Sequence, residues 1–488
     1  MTHSLHTRVI MHRARSLIRR HLALVFTAVA LAGCGGSTST PAIDDELPAE
    51  QDNGAQGLDP FGNEAHVAPI VACNDPLRAS DQSLVIRVLP RGPLAPDGSL
   101  AFTSGVCVYL PPGYLTSNLR YPVVYLLHGG GGDQADWVTY GGIRAIMDTL
   151  VATDVANAAV VVMPDGRDGQ WYDSFDGSIK NEQYVLGYLI PYVDRHFRTI
   201  AERSGRVIDG LSNGGYGATL FAAKAPDRFV AAGGMSSNLA AVSISGLGTA
   251  SKAPAYRHGN LPVDLAGNLD GVDLTLDIGT VCITDQAIDD CVTFRFEQVF
   301  VPANRDFRDH LASRAPSDGV FDYRETEGGH SWRWWPLWLR ERHLPFFLAR
   351  LADPRSAGIR PVSAAARPGF RYRTIAQQFS VWGYEVHVER GVREFLDLSD
   401  VRADGLVVQG SGRGTIRTAS LYKPRHSYTV ANAGDADSHV VADAAGRIIF
   451  TVDLGPSHEH EQYSPQANAL QAAGGYWTVR DVEIREGS

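Results

Sequence analysis

One serine in this chain stands in the pattern a nucleophile needs: Gly210-Leu211-Ser212-Asn213-Gly214, continued by Gly215-Tyr216-Gly217-Ala218. A serine hydroxyl attacks a carbonyl only when it projects from a sharp turn and a base removes its proton. Glycine two residues before and two after leaves room for that turn, because a side chain at either place collides with the crossing backbone. The flanks agree with this reading. A short apolar strand, Arg206-Val207-Ile208-Asp209, leads in, and a helical stretch rich in Ala and Leu, Tyr216 to Lys224, leads out. An ordinary Gly-rich turn does not require that strand-to-helix setting.

A base has to reach Ser212 from elsewhere in the chain. Glu327-Gly328-Gly329-His330-Ser331-Trp332 offers His330 on a glycine-flanked loop, late in the chain where the order Ser, acid, His places it. The aromatic run that follows, Trp332-Arg333-Trp334-Trp335, suits an active-site wall. His128-Gly129-Gly130-Gly131-Gly132, directly after the run Tyr121–Leu127, offers a bare backbone N–H at Gly130 for a developing oxyanion, with the N–H of Asn213 as its partner. His128 itself, ending a buried strand, reads as a structural hydrogen-bonding residue. For the acid, the loop after Leu274–Ile278 offers Asp285, with Asp289 and Asp290 as rivals. Asp277 lies inside the strand and is less able to reach.

The elements that must carry these residues alternate. Tyr121–Leu127, Ala159–Met163, Arg206–Asp209 and Leu274–Ile278 are short β-branched runs, and helix-like stretches lie at Ile143–Thr153, Val185–Phe197, Tyr216–Lys224 and Phe296–Leu311. Alternation of this kind predicts an α/β fold with a mostly parallel sheet covered by helices on both faces. Chemistry then gathers at the carboxyl ends of the strands. The long Gly/Ser/Ala-rich stretch from Met235 to Asp270 is a candidate lid or acceptor site. Residues 354–367 read as a linker, and 368–488 hold short strands such as Tyr384–Glu389, Ser427–Val430 and Ile448–Val452 between Gly, Asn and Asp. That pattern predicts a small all-β sandwich of immunoglobulin-like type. The exposed-looking aromatics Trp382, Tyr422 and Trp477 are expected in its core. His458 and His460 are expected in a solvated loop rather than on a metal.

The amino-terminal stretch has another character. Residues 1–33 hold five Arg and no acid, then an apolar run from Leu22 to Ala32, then Leu31-Ala32-Gly33-Cys34. Such a stretch resembles a bacterial lipoprotein signal with its lipobox, which implies a lipid on Cys34 and export, to the outer membrane by preference. Residues 34–68 read as a flexible polar tether, and 69–353 as the catalytic domain. Without residues 1–33 the chain carries 39 Lys and Arg against 54 Asp and Glu, a net charge of −15. An acidic balance argues against nucleic acid and anionic membrane surfaces as partners. Four further cysteines in an exported chain predict two disulfides; of the three possible pairings, Cys73–Cys107, between neighbouring early strands, with Cys282–Cys291, closing one short loop, is favoured. No zinc-ligand spacing occurs, and no metal or organic cofactor is expected.

Taken together, Tyr-Pro-Val-Val-Tyr-Leu-Leu-His-Gly (121–129), Val-Val-Val-Met-Pro-Asp-Gly (160–166), Gln170-Trp171-Tyr172-Asp173, the Ser212 motif and Gly-Gly-His-Ser-Trp (328–332) occur in the order seen in the esterase D-like group. The chain resembles that group, which includes S-formylglutathione hydrolases, feruloyl esterases and mycolyltransferases, over about residues 80–350. The resemblance implies an α/β-hydrolase fold, a triad of Ser212, His330 and Asp285, an oxyanion hole at Gly130 and Asn213, and substrate contacts from Trp171, Tyr172 and Trp332. It departs at Asn213, where Met is common, and in a longer acid loop. Carboxylic-ester hydrolysis is the leading expectation, acyl transfer to a sugar or lipid hydroxyl the alternative, and a surface binding protein without catalysis the third.

Overall fold

Eight strands between residues 84 and 327 form one mixed sheet in the computed structural model, which describes residues 73–77, 81–90, 105–167, 169–249, 251–282, 288–313, 319–352, 354 and 367–487. In chain order they are β1 (Leu84–Val88), β2 (Val106–Leu110), β3 (Val123–Leu127), β4 (Val160–Pro164), β5 (Arg206–Gly210), β6 (Ala231–Met235), β7 (Asp273–Val281) and β8 (Phe321–Glu327). Their order across the sheet is β1-β2-β4-β3-β5-β6-β7-β8. β1, β2 and β4 pair antiparallel, and every pair from β4 and β3 onward to β7 and β8 is parallel.

Both faces of this sheet are covered, which is why its central strands read as unbroken apolar runs rather than alternating ones. In β3, Val123, Tyr125 and Leu127 enter one core while Val124 and Leu126 enter the other. Helix α1 (Ile143–Thr153) covers the second core through Ile143, Ile146 and Met147. On the first face lie α2 (Ile190–His196) and α3 (Asn213–Lys224), the latter through Ala218, Leu220 and Phe221. Helices α4 (Ile288–Glu297) and α5 (Val301–Ala312) follow β7. A helical run of three segments, Trp335–Trp338, Leu339–His343 and α6 (Leu344–Leu348), packs against the same core as α1.

The structure differs from the sequence reading in several places. β6 is a strand although Ala231-Ala232-Gly233-Gly234-Met235 has no β-branched residue; its place between β5 and β7 overrides propensity. The stretch after Met235 is no free lid, since Leu247, Leu265, Ala266 and Leu269 are buried in the main core. The single helix expected over Phe296–Leu311 is broken between Glu297 and Val301.

Residues 370–486 form two antiparallel sheets of four and six strands that share a core of their own, including Trp382 and Tyr422. The sandwich docks on the domain built around the eight-stranded sheet. Tyr372 donates its hydroxyl proton to the Lys224 carbonyl at 2.8 Å, and Asn268 exchanges two hydrogen bonds with the Arg373 backbone at 2.9 and 2.7 Å. His458 is spent within this domain, with Nδ1 2.5 Å from Glu394 and Nε2 2.8 Å from the Tyr476 carbonyl.

Cys73 and Cys107 are joined by a disulfide, the pairing expected from sequence. Cys282 is disulfide-bonded as well, while the side chain of Cys291 lies outside what the structure describes. Residues 1–33, Cys34, the tether 34–68 and nearly all of the linker 354–367 also lie outside them.

Candidate active site

Ser212 lies between the end of β5 and the start of α3 with φ 55° and ψ −118°, a backbone region that side-chain-bearing residues rarely adopt. The surrounding packing holds it there. A Cβ on Gly210 would lie 2.4 Å from the Gly214 carbonyl carbon, and one on Gly214 would lie 2.5 Å from the Leu127 and His128 oxygens. The strained turn is pinned by Ser212 N–H donating to the Met235 carbonyl at 2.8 Å and by Asn238 N–H donating to the Ser212 carbonyl at 3.1 Å.

His330 reaches this turn from 118 residues away: its Nε2 is 2.9 Å from Ser212 Oγ. Its loop is held by His330 N–H donating to the Thr293 carbonyl at 3.2 Å. Gly329 packs so closely on Phe294 that a Cβ would come within 2.7 Å of its nitrogen. Rings enclose the imidazole, with Phe296, Phe300 and Trp335 centroids 4.8, 5.0 and 5.1 Å away.

The carboxylate that faces His330 Nδ1 is that of Glu297. Glu297 Oε2 is 2.8 Å from His330 Nδ1, and Oε1 accepts the Gly279 N–H at 2.9 Å. The carboxylate is fully buried. Asp285 and the side chains of its rivals Asp289 and Asp290 lie outside the described residues, and the imidazole nitrogen for which they were expected is taken. The reason lies in β7, which runs on to Val281 instead of stopping at Ile278, so that its Gly279 amide meets the end of the returning helix α4. A signal for Glu297 was present in the sequence. It is a carboxylate three and four residues before the buried Phe300 and Val301, on what otherwise reads as an apolar helix face.

Gly129 rests on the Ser212 side chain, with its Cα hydrogen aimed at Leu211 and Ser212 where a Cβ would come within 2.5 and 3.3 Å of them. Gly130 is next in that loop, and Asn213 is the first residue of α3. Asn213 Oδ1 accepts from Asn238 Nδ2 at 3.0 Å, which makes Asn238 a neighbour of the site that sequence reasoning did not find. His128 is structural, as expected: Nδ1 donates to the Gly129 carbonyl at 2.8 Å and Nε2 accepts the Gly166 N–H at 2.9 Å.

Two of the three residues expected to touch substrate are buried. Trp171 is 0 % exposed and Tyr172 4 % exposed. Trp171 Nε1 donates to the His128 carbonyl at 2.9 Å while its ring packs on Gly166 and Gly217, so it buttresses the glycine loop from below. Next to them Asp173 caps the following helix, accepting from the Glu182 and Gln183 amides, and burial, helped by Glu182, pushes its carboxyl up to about 6. Trp332 is half-buried, edge-on to Trp137 and Trp335 and beside Tyr140, which is 60 % exposed. Phe296, 53 % exposed, stands edge-on to His330.

Residues 99–346 match the family model described as "Putative esterase". An esterase of Mycobacterium tuberculosis is 39% identical over 140 residues, 28% of this chain and 29% of that protein. An endo-1,4-beta-xylanase/feruloyl esterase of Xylanibacter ruminicola is 34% identical over 129 residues, 25% of this chain and 18% of that one. The chain therefore spans less than a third of the length of either relative. Among solved structures, a ferulic acid esterase aligns with 56% of this chain and 99% of its own at a TM-score of 0.45 and 24% identity.

Proposed function

This chain belongs to that esterase family, and we propose that it hydrolyses carboxylic esters through an acyl-enzyme on Ser212. The observation that carries the reading is the unbroken relay from Ser212 Oγ to His330 Nε2 at 2.9 Å and from His330 Nδ1 to Glu297 Oε2 at 2.8 Å. In this reading His330 takes the hydroxyl proton as Oγ bonds to the ester carbon, and Glu297 holds Nδ1–H and stabilises the imidazolium. The N–H groups of Gly130 and Asn213 receive the oxyanion. The imidazolium then gives its proton to the departing alkoxide, and water repeats the sequence on the acyl group, restoring the serine.

Phe296 lies against His330, and Trp332 and Tyr140 connect to it through Trp335; this aromatic surface supports esters carrying an aromatic ring on one side of the bond. An aromatic pair adds about 0.5–1.5 kcal/mol, so Phe296→Ala should raise KM for methyl ferulate roughly two- to tenfold and leave KM for ethyl acetate, which has no ring, unchanged. Ser212→Ala in folded protein should abolish turnover of p-nitrophenyl acetate and labelling by a fluorophosphonate; retained turnover refutes the assignment. Product analysis with an added alcohol separates hydrolysis from acyl transfer.

Export and lipid attachment at Cys34 are part of the same proposal. They are supported by the basic and apolar leader and by the Cys73–Cys107 disulfide, a bond that persists in oxidising compartments. Loss of palmitate labelling in Cys34→Ala cells is the expected result.

A further inference from the structure

A second buried histidine lies beneath the site, and the reaction scheme above does not use it. His343, on the helical run that follows the His330 loop, is 0 % exposed. Its Nδ1 is 2.9 Å from Asp209 Oδ2 and its Nε2 is 3.0 Å from Asp277 Oδ2, and both carboxylates are themselves fully buried. Asp209 belongs to β5 and Asp277 to β7, so the imidazole spans the intervening strand β6. It crosses at Gly233, where a Cβ would come within 2.7 Å of Asp209 Oδ1, 2.8 Å of the Phe347 ring and 3.0 Å of His343 Nδ1. This is the physical use of a glycine in a buried central strand.

Two hydrogen bonds to two carboxylates require two protons among the three groups, and an imidazole carrying both satisfies them. Arg342, paired with Asp277 Oδ1, then balances the second negative charge. Leaving out either ring bond strands a buried carboxylate, which is the costly case for a charge pair in the interior.

What this bridge holds is catalytic on both sides. Asp209 Oδ1 accepts the Gly210 N–H at 2.8 Å, and Ser212 follows two residues later. On the other strand, Gly279, two residues after Asp277, supplies the amide that fixes Glu297. The Asp277 carbonyl accepts the Ser236 N–H at 2.8 Å, and the Ser236 hydroxyl accepts Trp335 Nε1 at 2.9 Å, the ring that stands edge-on to His330. We propose that His343 is a positioning residue: it sets the spacing of β5 against β7 and so the fit of Ser212 to the His330–Glu297 pair. The inference rests on the Ser212 reading above and deepens it. Misplacement of reacting groups by about 1 Å is enough to cost on the order of a hundredfold in rate.

The test compares four variants with p-nitrophenyl acetate and fluorophosphonate labelling, well below each variant's unfolding temperature. His343→Gln keeps at most one of the two ties and should lose at least tenfold in kcat and in labelling rate, with KM within threefold. Asp209→Asn lets every hydrogen bond form around a neutral imidazole and should retain kcat within threefold. Gly233→Ala leaves all charges in place but displaces the ring; it should reproduce the His343→Gln signature, and it decides the matter if His343→Gln does not fold. Lower thermal stability with unchanged kcat in His343→Gln, or in Gly233→Ala where the former does not fold, overturns the proposal. Ser212→Ala tells the two levels apart: if it is active the hydrolase reading has failed, and if it is inactive while His343→Gln is normal only the positioning role has failed.

Discussion

Replacing Glu297 by Gln changes one oxygen for an NH2 group and is the sharpest way to ask whether this carboxylate, and no aspartate, orients the base. In the native arrangement both oxygens accept: Oε1 from the Gly279 N–H at 2.9 Å and Oε2 from His330 Nδ1 at 2.8 Å. An amide has one acceptor. If its oxygen stays with Gly279, its NH2 faces Nδ1 and forces that nitrogen to accept, which moves the ring proton to Nε2. A protonated Nε2 cannot take the Ser212 proton. If the amide flips, its NH2 meets the Gly279 N–H and that buried amide is orphaned. The tautomer loss in a triad costs about 10⁴ in kcat, or roughly 5 kcal/mol at 1.36 kcal/mol per decade. The side chain is fully buried, so no water makes up the difference. The measurement is kcat for p-nitrophenyl acetate at neutral pH, with circular dichroism to show that the variant is folded. Asp285→Asn, measured alongside, should stay within twofold of wild type. Glu297→Gln activity within tenfold of wild type, or a large loss in Asp285→Asn, would refute the reasoning.

Asp173 gives a pH-dependent expectation. Its carboxyl is pushed up to about 6 by burial and then by Glu182, so the folded protein resists ionisation that the unfolded chain accepts near pH 4. Stability therefore falls as pH rises from about 4 to about 6, by at most roughly 3 kcal/mol, and Asp173→Asn should raise the unfolding temperature at pH 7.5 but not at pH 3.5. Removing the Cys73–Cys107 disulfide, which links residues 34 apart, should cost about 3–4 kcal/mol on the chain-entropy account, seen as a lower urea midpoint in the doubly substituted Ser variant.

The sequence alone determined whatever depends on local pattern. The Gly-x-Ser-x-Gly turn between a strand and a helix is legible because its backbone admits only glycine at Gly210 and Gly214. The alternation of β-branched runs with helices is legible because a sheet covered on both faces needs apolar residues at every position. The Gly-Gly-His loop and the cysteine pair Cys73–Cys107 belong to the same class. What only the tertiary structure decided are contacts between segments remote in the chain. Glu297 meets His330 because β7 is longer than its apolar run and α4 breaks where it does, and neither length is written in the residues nearby. Trp171 and Tyr172 look like substrate contacts as aromatic residues in a loop, yet the glycines they pack on lie 5 and 46 residues from Trp171 (Gly166 and Gly217) and 74 from Tyr172 (Gly246), and that packing turns them inward. His343 bridges carboxylates 134 and 66 residues distant, over a glycine that no local rule would place beside it. Local sequence fixes which backbone a segment prefers; which side chains share a proton is fixed by the order of strands in the sheet.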